Sequence, residues 1–168
     1  ALAGEGMRIV AINGGNKRNA IPRECVAEVT IPGKSSKVAG ELVAQLHTTI
    51  AAEFSSVDPD VSIAIKPVKR GKKVRVLKKS QQRDILRTIA GLPHGVTKMS
   101  PDIPGLVETS TNVAVVSTTK KSLVIETSQR SSVPSEILEI QESVRSVFEL
   151  GGASTETSNG YPGWKPNL

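Results

Sequence analysis

NVAVVSTTKKSLVIET, residues 112–127, holds two apolar runs, Asn112–Ser117 and Ser122–Thr127, on either side of Thr118-Thr-Lys-Lys121. Two β-forming runs joined by a short polar link spell an antiparallel hairpin. Directly after it, Ile137, Ile140, Val144 and Val147 recur at helical spacing over about 134–150, with Pro134 in the first turn and Gly151-Gly152 at the end. A hairpin followed by an amphipathic helix is the unit of an α+β fold, an antiparallel sheet with a helix on one face. GVTKMS from Gly95 supplies a strand before the hairpin, and residues 153–160 can add one after the helix.

The first half repeats this order. GMRIVAIN (6–13) reads as a strand ending at the turn Asn13-Gly14-Gly15, and CVAEVTI (25–31) alternates so that Cys25, Ala27, Val29 and Ile31 share a face expected to be buried. Pro32-Gly33 breaks that strand. Val38, Ala39, Leu42, Val43, Leu46, Ile50 and Phe54 then mark a helix over about 37–55, and Val61, Ile63 and Ile65 a returning strand. Ser80 can cap a further helix carrying Ile85, Leu86 and Ile89 and ending at Gly91. The expectation is two sheet-plus-helix lobes, about 6–67 and 95–160, related by an approximate internal duplication and connected by residues 68–94.

With 168 residues, 38% AVILMFWYC and 14 glycines, the composition is that of a folded chain rather than a disordered one. The single cysteine, Cys25, closes no intrachain disulfide, and two histidines make no Cys/His zinc framework. No apolar run approaches the roughly 20 residues that span a bilayer, so a cytoplasmic chain with no membrane partner is expected. The net charge of +6 comes from one segment. Lys66, Lys69, Arg70, Lys72, Lys73, Arg75, Lys78 and Lys79 stand without an acid among them, and the rest of the chain sets 14 bases against 16 acids. Such a run suits a polyanion or nucleic acid through counterion release. The aromatics argue against nucleic acid, because Phe54 and Phe148 fall on helices and Tyr161 and Trp164 in the tail rather than on strands where bases stack.

Few residues offer chemistry. His47 lies beside Val43 and Leu46 on a helix and His94 in a loop; both read as structural imidazoles. Gly14-Gly15-Asn16-Lys17-Arg18 lacks the Gly-Lys-Ser/Thr ending of a phosphate loop and opens a strand, not a helix. The same turn presents the amide of Asn19, fixed by the rigid Ile21-Pro22 step, although a turn asparagine is ordinarily structural. Arg130, at the end of the strand 122–127, could bind a carboxylate through two parallel bonds or be a plain surface arginine.

Taken together, GGNKRNAIPREC (14–25), MSPDIPGLVETSTN (99–112), TSQRSSV (127–133) and SNGYPGWKPN (158–167) resemble the bacterial aminoacyl-histidine dipeptidases, also called Xaa-His dipeptidases or peptidase D. The resemblance covers essentially the whole chain, and it is to that family's lid or dimerisation domain. It implies a cytosolic zinc metallopeptidase hydrolysing dipeptides with C-terminal histidine, carnosine among them. The zinc domain would be a separate part of the same polypeptide, since the family's His-x-Asp, paired-glutamate and His-Ser-Gly motifs have no counterpart here. The resemblance thus implies a fragment inactive alone, with no catalytic residue, no metal ligand and no cofactor of its own. By position it carries over Arg130 as the group reaching the substrate carboxylate, Asn19 from the Asn-x-Ile-Pro turn, and Asn112 at the similar place in the second half. The partners implied are the catalytic domain and the dipeptide. A homodimer paired through exposed strand edges, with a purely structural role, and a polyanion-binding module using 66–79 are the alternatives.

Overall fold

The computed structural model describes residues 2–69, 74–158 and 160. Its elements are β1 (Arg8–Gly14), β2 (Cys25–Thr30), a 3-10 turn (Gly33–Ser35), α1 (Ser36–Glu53), α2 (Lys79–Gly91), β3 (Gly95–Met99), β4 (Val107–Thr118), β5 (Leu123–Ser131) and α3 (Pro134–Leu150). The five strands form one antiparallel sheet in the order β2-β1-β4-β3, with β5 also along β4. The sequence therefore folds into an α+β chain, with an antiparallel sheet and three α-helices among the described residues. Two compact units divide it, Ala1–Val10 with Glu28–Leu77 and Ala11–Ala27 with Lys78–Leu168.

In the second unit β4 is the organising strand. It pairs with β5 from Thr109 opposite Ser131 to Thr118 opposite Leu123, and the register slips by one between Val113 and Val115. That slip is a β-bulge, and it reverses which face the following side chains take. Before it Thr109 and Thr111 are buried, and after it Ala114 is. α3 packs against β5 and β4 and buries Ile140 and Val144. The strand starts five residues earlier than its apolar run at Asn112. Threonine's branched Cβ suits a strand, and the hydroxyls buried with Thr109 and Thr111 find partners: Thr109 Oγ1 lies 2.9 Å from Ser131 Oγ, and Gln129 Nε2 donates to Thr111 Oγ1 at 3.3 Å.

β3 pairs with the first part of the other edge of β4, Gly95 opposite Thr111 and Met99 opposite Val107. β1 takes the same edge further on, with Gly14 opposite Val116. Side chains finish that pairing: Thr118 Oγ1 accepts from Ile12 N and donates to Ile12 O, both at 2.9 Å, while Thr118 N donates to Asn13 Oδ1 at 2.9 Å.

Several local expectations change. Cys25 and Ala27 are exposed rather than buried, because β2 is the edge strand and α3 covers β4 and β5 instead. α2 begins at Lys79, not at a Ser80 cap: Gln81 Oε1 accepts the Lys78 N–H at 3.3 Å and closes the first turn. Residues 153–158 form no strand, and the remainder of that expected strand is only partly within the described residues.

In the first unit Ile9, Ser35 and Ala39 are buried, and Leu77 N donates to Ile9 O at 2.9 Å. α1 forms as expected. Only part of its apolar stripe is covered, since Val38, Leu46 and Phe54 keep 38%, 52% and 47% of their surface exposed. Residues 61–65 alternate like a strand but are not one. The Ile63 N–H, which a ladder would use, donates to His47 Nδ1 at 3.3 Å.

Candidate functional site

The turn between β1 and β2 is a closed loop. Gly15 N donates to Glu24 O at 3.1 Å across its base, and Ala20 N donates to Lys17 O at 3.2 Å near its tip. Gly15 has φ +67, which favours glycine, and a Cβ there would stand 2.0 Å from the Ala114 carbonyl oxygen. The loop therefore presses directly on the β4 bulge. It encloses a shallow hollow of about 210 Å³ lined by Gly15, Lys17, Ala20, Pro22, Arg23 and Glu24 among others.

Strand parity brings the sheet's polar face to this loop. Thr109 and Thr111 point into the core, so Ser110 and Asn112 point the other way, and Arg130, opposite Ser110, shares their side. Asn112 and Arg130 are diagonal cross-strand neighbours, close enough to act together. Asn112 Nδ2 donates to Ala20 O at 2.8 Å, and Arg130 Nη2 donates to Asn19 O at 3.4 Å. All three residues singled out in the sequence, Asn19, Asn112 and Arg130, thus meet at one place although as many as 111 positions separate them. Arg130 stays exposed and holds one long bond among the described residues. The Asn112 Oδ1 atom is buried with no hydrogen-bond partner among the described residues.

The surroundings are cationic. Lys17, Arg18 and Arg23 are exposed in the loop beside Arg130, with Glu24 the one acid between Gly15 and Glu24. Such a field, with a guanidinium whose fork matches two oxygens, favours a carboxylate ligand. A charged trio of another kind lies at the start of β4: Lys98 Nζ reaches Glu108 at 3.3 Å and also Glu136 of α3. The hydrogen bonds that the Lys98 ammonium donates to Glu136 and then to Glu108 hold it above its ordinary pKa. This trio ties β3, β4 and α3 together.

Both histidines serve the backbone. His47 Nδ1 takes the Ile63 N–H, and His94 Nδ1 takes the Val113 N–H at 3.0 Å. Nothing in the sequence beyond Pro93-His94-Gly95 signals the second bond, since it depends on where the bulge falls. Among the described residues no group of three or more His, Cys, Asp or Glu could hold a metal ion, so the residues present do not fit zinc. In the basic segment Lys66, Lys69, Arg75, Lys78 and Lys79 are exposed, whereas Arg70, Lys72 and Lys73, like Tyr161 and Trp164, lie outside the described residues. No helix among the described residues is long and apolar enough to cross a membrane.

Comparison with known proteins adds three findings. Residues 1–61 match the peptidase dimerisation domain family. The cytosol non-specific dipeptidase of Escherichia coli (strain K12) is 32% identical over 162 residues, 96% of this chain and 33% of that protein. The crystal structure of aminoacylhistidine dipeptidase from Vibrio alginolyticus superposes with a TM-score of 0.93 at 31% identity, covering 98% of this chain and 33% of that one. The chain spans about one third of the length of these relatives.

Proposed function

From a chain that opens on a peptidase dimerisation domain and is homologous over nearly its whole length to one third of two dipeptidases, we propose the substrate-covering lid of a cytoplasmic dipeptidase. The substrate is an unblocked dipeptide, Xaa-His of the carnosine type. The peptide bond is cut on a zinc-bearing catalytic domain of the same polypeptide, over which this chain closes. The chain also contributes to a homodimer, as the name of the matching family implies.

The observation that carries the reading is the convergence of Arg130, Asn112 and the Asn19 turn on one polar, cationic face. Arg130 is assigned the C-terminal carboxylate of the dipeptide. Its bond to Asn19 O is long, so a carboxylate offering two oxygens would replace it at a gain. Asn112 and Asn19 are assigned to the substrate main chain and to the shape of the turn that receives it, an amide having both donor and acceptor to give. Closing such a lid excludes water and strengthens these contacts. The lid supplies binding and orientation; the nucleophile and Lewis acid are the other domain's.

The test compares the full-length protein with this 168-residue chain on a panel of dipeptides. Hydrolysis of Xaa-His dipeptides by the full-length protein and none by the chain alone is expected. A full-length protein that cleaves no dipeptide, or metal-dependent cleavage by the chain alone, would overturn the reading.

A further inference from the structure

We propose that His94 is a positioning residue for this site, its imidazole fixing the β4 bulge on which Asn112 and the 15–24 loop are set. This rests on the lid reading for its functional consequence, but the geometry stands by itself. β3 and β1 share one edge of β4 and leave a gap between them: β3 begins with Gly95 opposite Thr111, and β1 finishes with Gly14 opposite Val116. Continuing the β3 register would put Pro93 opposite Val113, and proline has no N–H with which to extend a ladder. The chain turns away instead at Gly95, whose φ of +104 favours glycine.

His94 closes the gap with its side chain. Nδ1 accepts the Val113 N–H at 3.0 Å, so in the neutral ring the proton sits on Nε2. Val113 is the last residue before the bulge. On one side of it stands Asn112, whose amide holds Ala20 O, and on the other Ala114, whose carbonyl oxygen the loop meets at Gly15. One ring nitrogen therefore pins the backbone step that carries two of the loop's attachments, the third being the Arg130 bond from β5. Without it the Val113 N–H loses its partner and the bulge is free to shift its register, taking Asn112 with it.

The experiment uses the full-length enzyme with His94→Ala, His94→Gln and His94→Asn. An asparagine Oδ1 falls near the place of Nδ1, whereas a glutamine reaches toward that of Nε2. KM for the dipeptide is expected to rise about three- to tenfold in His94→Ala and His94→Gln, the size of one lost hydrogen bond, with little change in kcat. Hydrogen exchange across 107–118 should rise in the same two variants. His94→Asn should return both readouts toward wild type, and if His94→Ala does not fold, the Asn and Gln variants carry the comparison. Exchange that stays unchanged, or an Asn variant no better than Gln, would overturn the proposal. Raised exchange with an unchanged KM would overturn it too, provided Arg130→Ala raises KM. If Arg130→Ala leaves KM unchanged as well, the lid reading has failed and this proposal with it.

Discussion

Gly15 shows how much a single position decides. Its φ of +67 disfavours any side chain, and the missing Cβ leaves room for Ala114 O at a place only 2.0 Å away. Gly15→Ala should cost about 1–3 kcal/mol in denaturant unfolding, from the combined strain and overlap. It should also weaken dipeptide binding in the full-length enzyme, because the loop must lift off β4. Cys25 sits just past the same loop, where partial burial pushes its thiol above the ordinary 9.0. Less thiolate forms at a given pH, so the alkylation rate with iodoacetamide should reach half its maximum above pH 9.0 rather than below it. Asn19 and Arg130 were legible as residues, one from a turn with a rigid Ile-Pro step and the other from a strand end. Their meeting was not legible from local pattern, because it depends on the parity of β4 and β5.

At the scale of elements, α2 and α3 meet through an absence. A Cβ on Gly151 would lie 1.9 Å from Thr88 Oγ1, which itself donates to Asp84 O at 2.9 Å within α2. Gly151→Ala should destabilise by about 1–3 kcal/mol. Thr88→Ala in the same chain should recover part of that, a coupling that a double-mutant cycle measures. Lys98 joins three elements, and its pKa is raised, so its contribution is complete below the ordinary 10.5 and fades as pH climbs through the raised value. The difference in Tm between wild type and Lys98→Met should accordingly hold through neutral pH and shrink above pH 10.5. Strong periodic segments, α1, α3 and the β4–β5 hairpin, were readable because their pattern is local. The alternation at 61–65 misled because a strand needs a partner edge, and His47 took the N–H that such an edge would have used. The Thr-rich start of β4 was missed for the converse reason: its buried hydroxyls pair with side chains on β5, which only the folded sheet supplies.

For the whole molecule, the sheet is built from contacts distant in sequence: Thr118 bonds Ile12 and Asn13 across more than a hundred residues. No short-range signal announces such pairing, which is why an α+β class was legible while the strand order was not. The possible chemistry narrows to one face of one unit, where a cation and two amides surround a turn. The central claim is that Arg130 binds the substrate's C-terminal carboxylate when the lid closes. It is tested most directly by kcat/KM for a dipeptide and for its C-terminal amide, in the full-length enzyme and in Arg130→Ala. Loss of a charge-assisted contact in a closed site should lower kcat/KM for the acid by about 30-fold or more, about 2 kcal/mol, and change the amide far less. An equal loss for acid and amide, or no loss for either, would contradict the account.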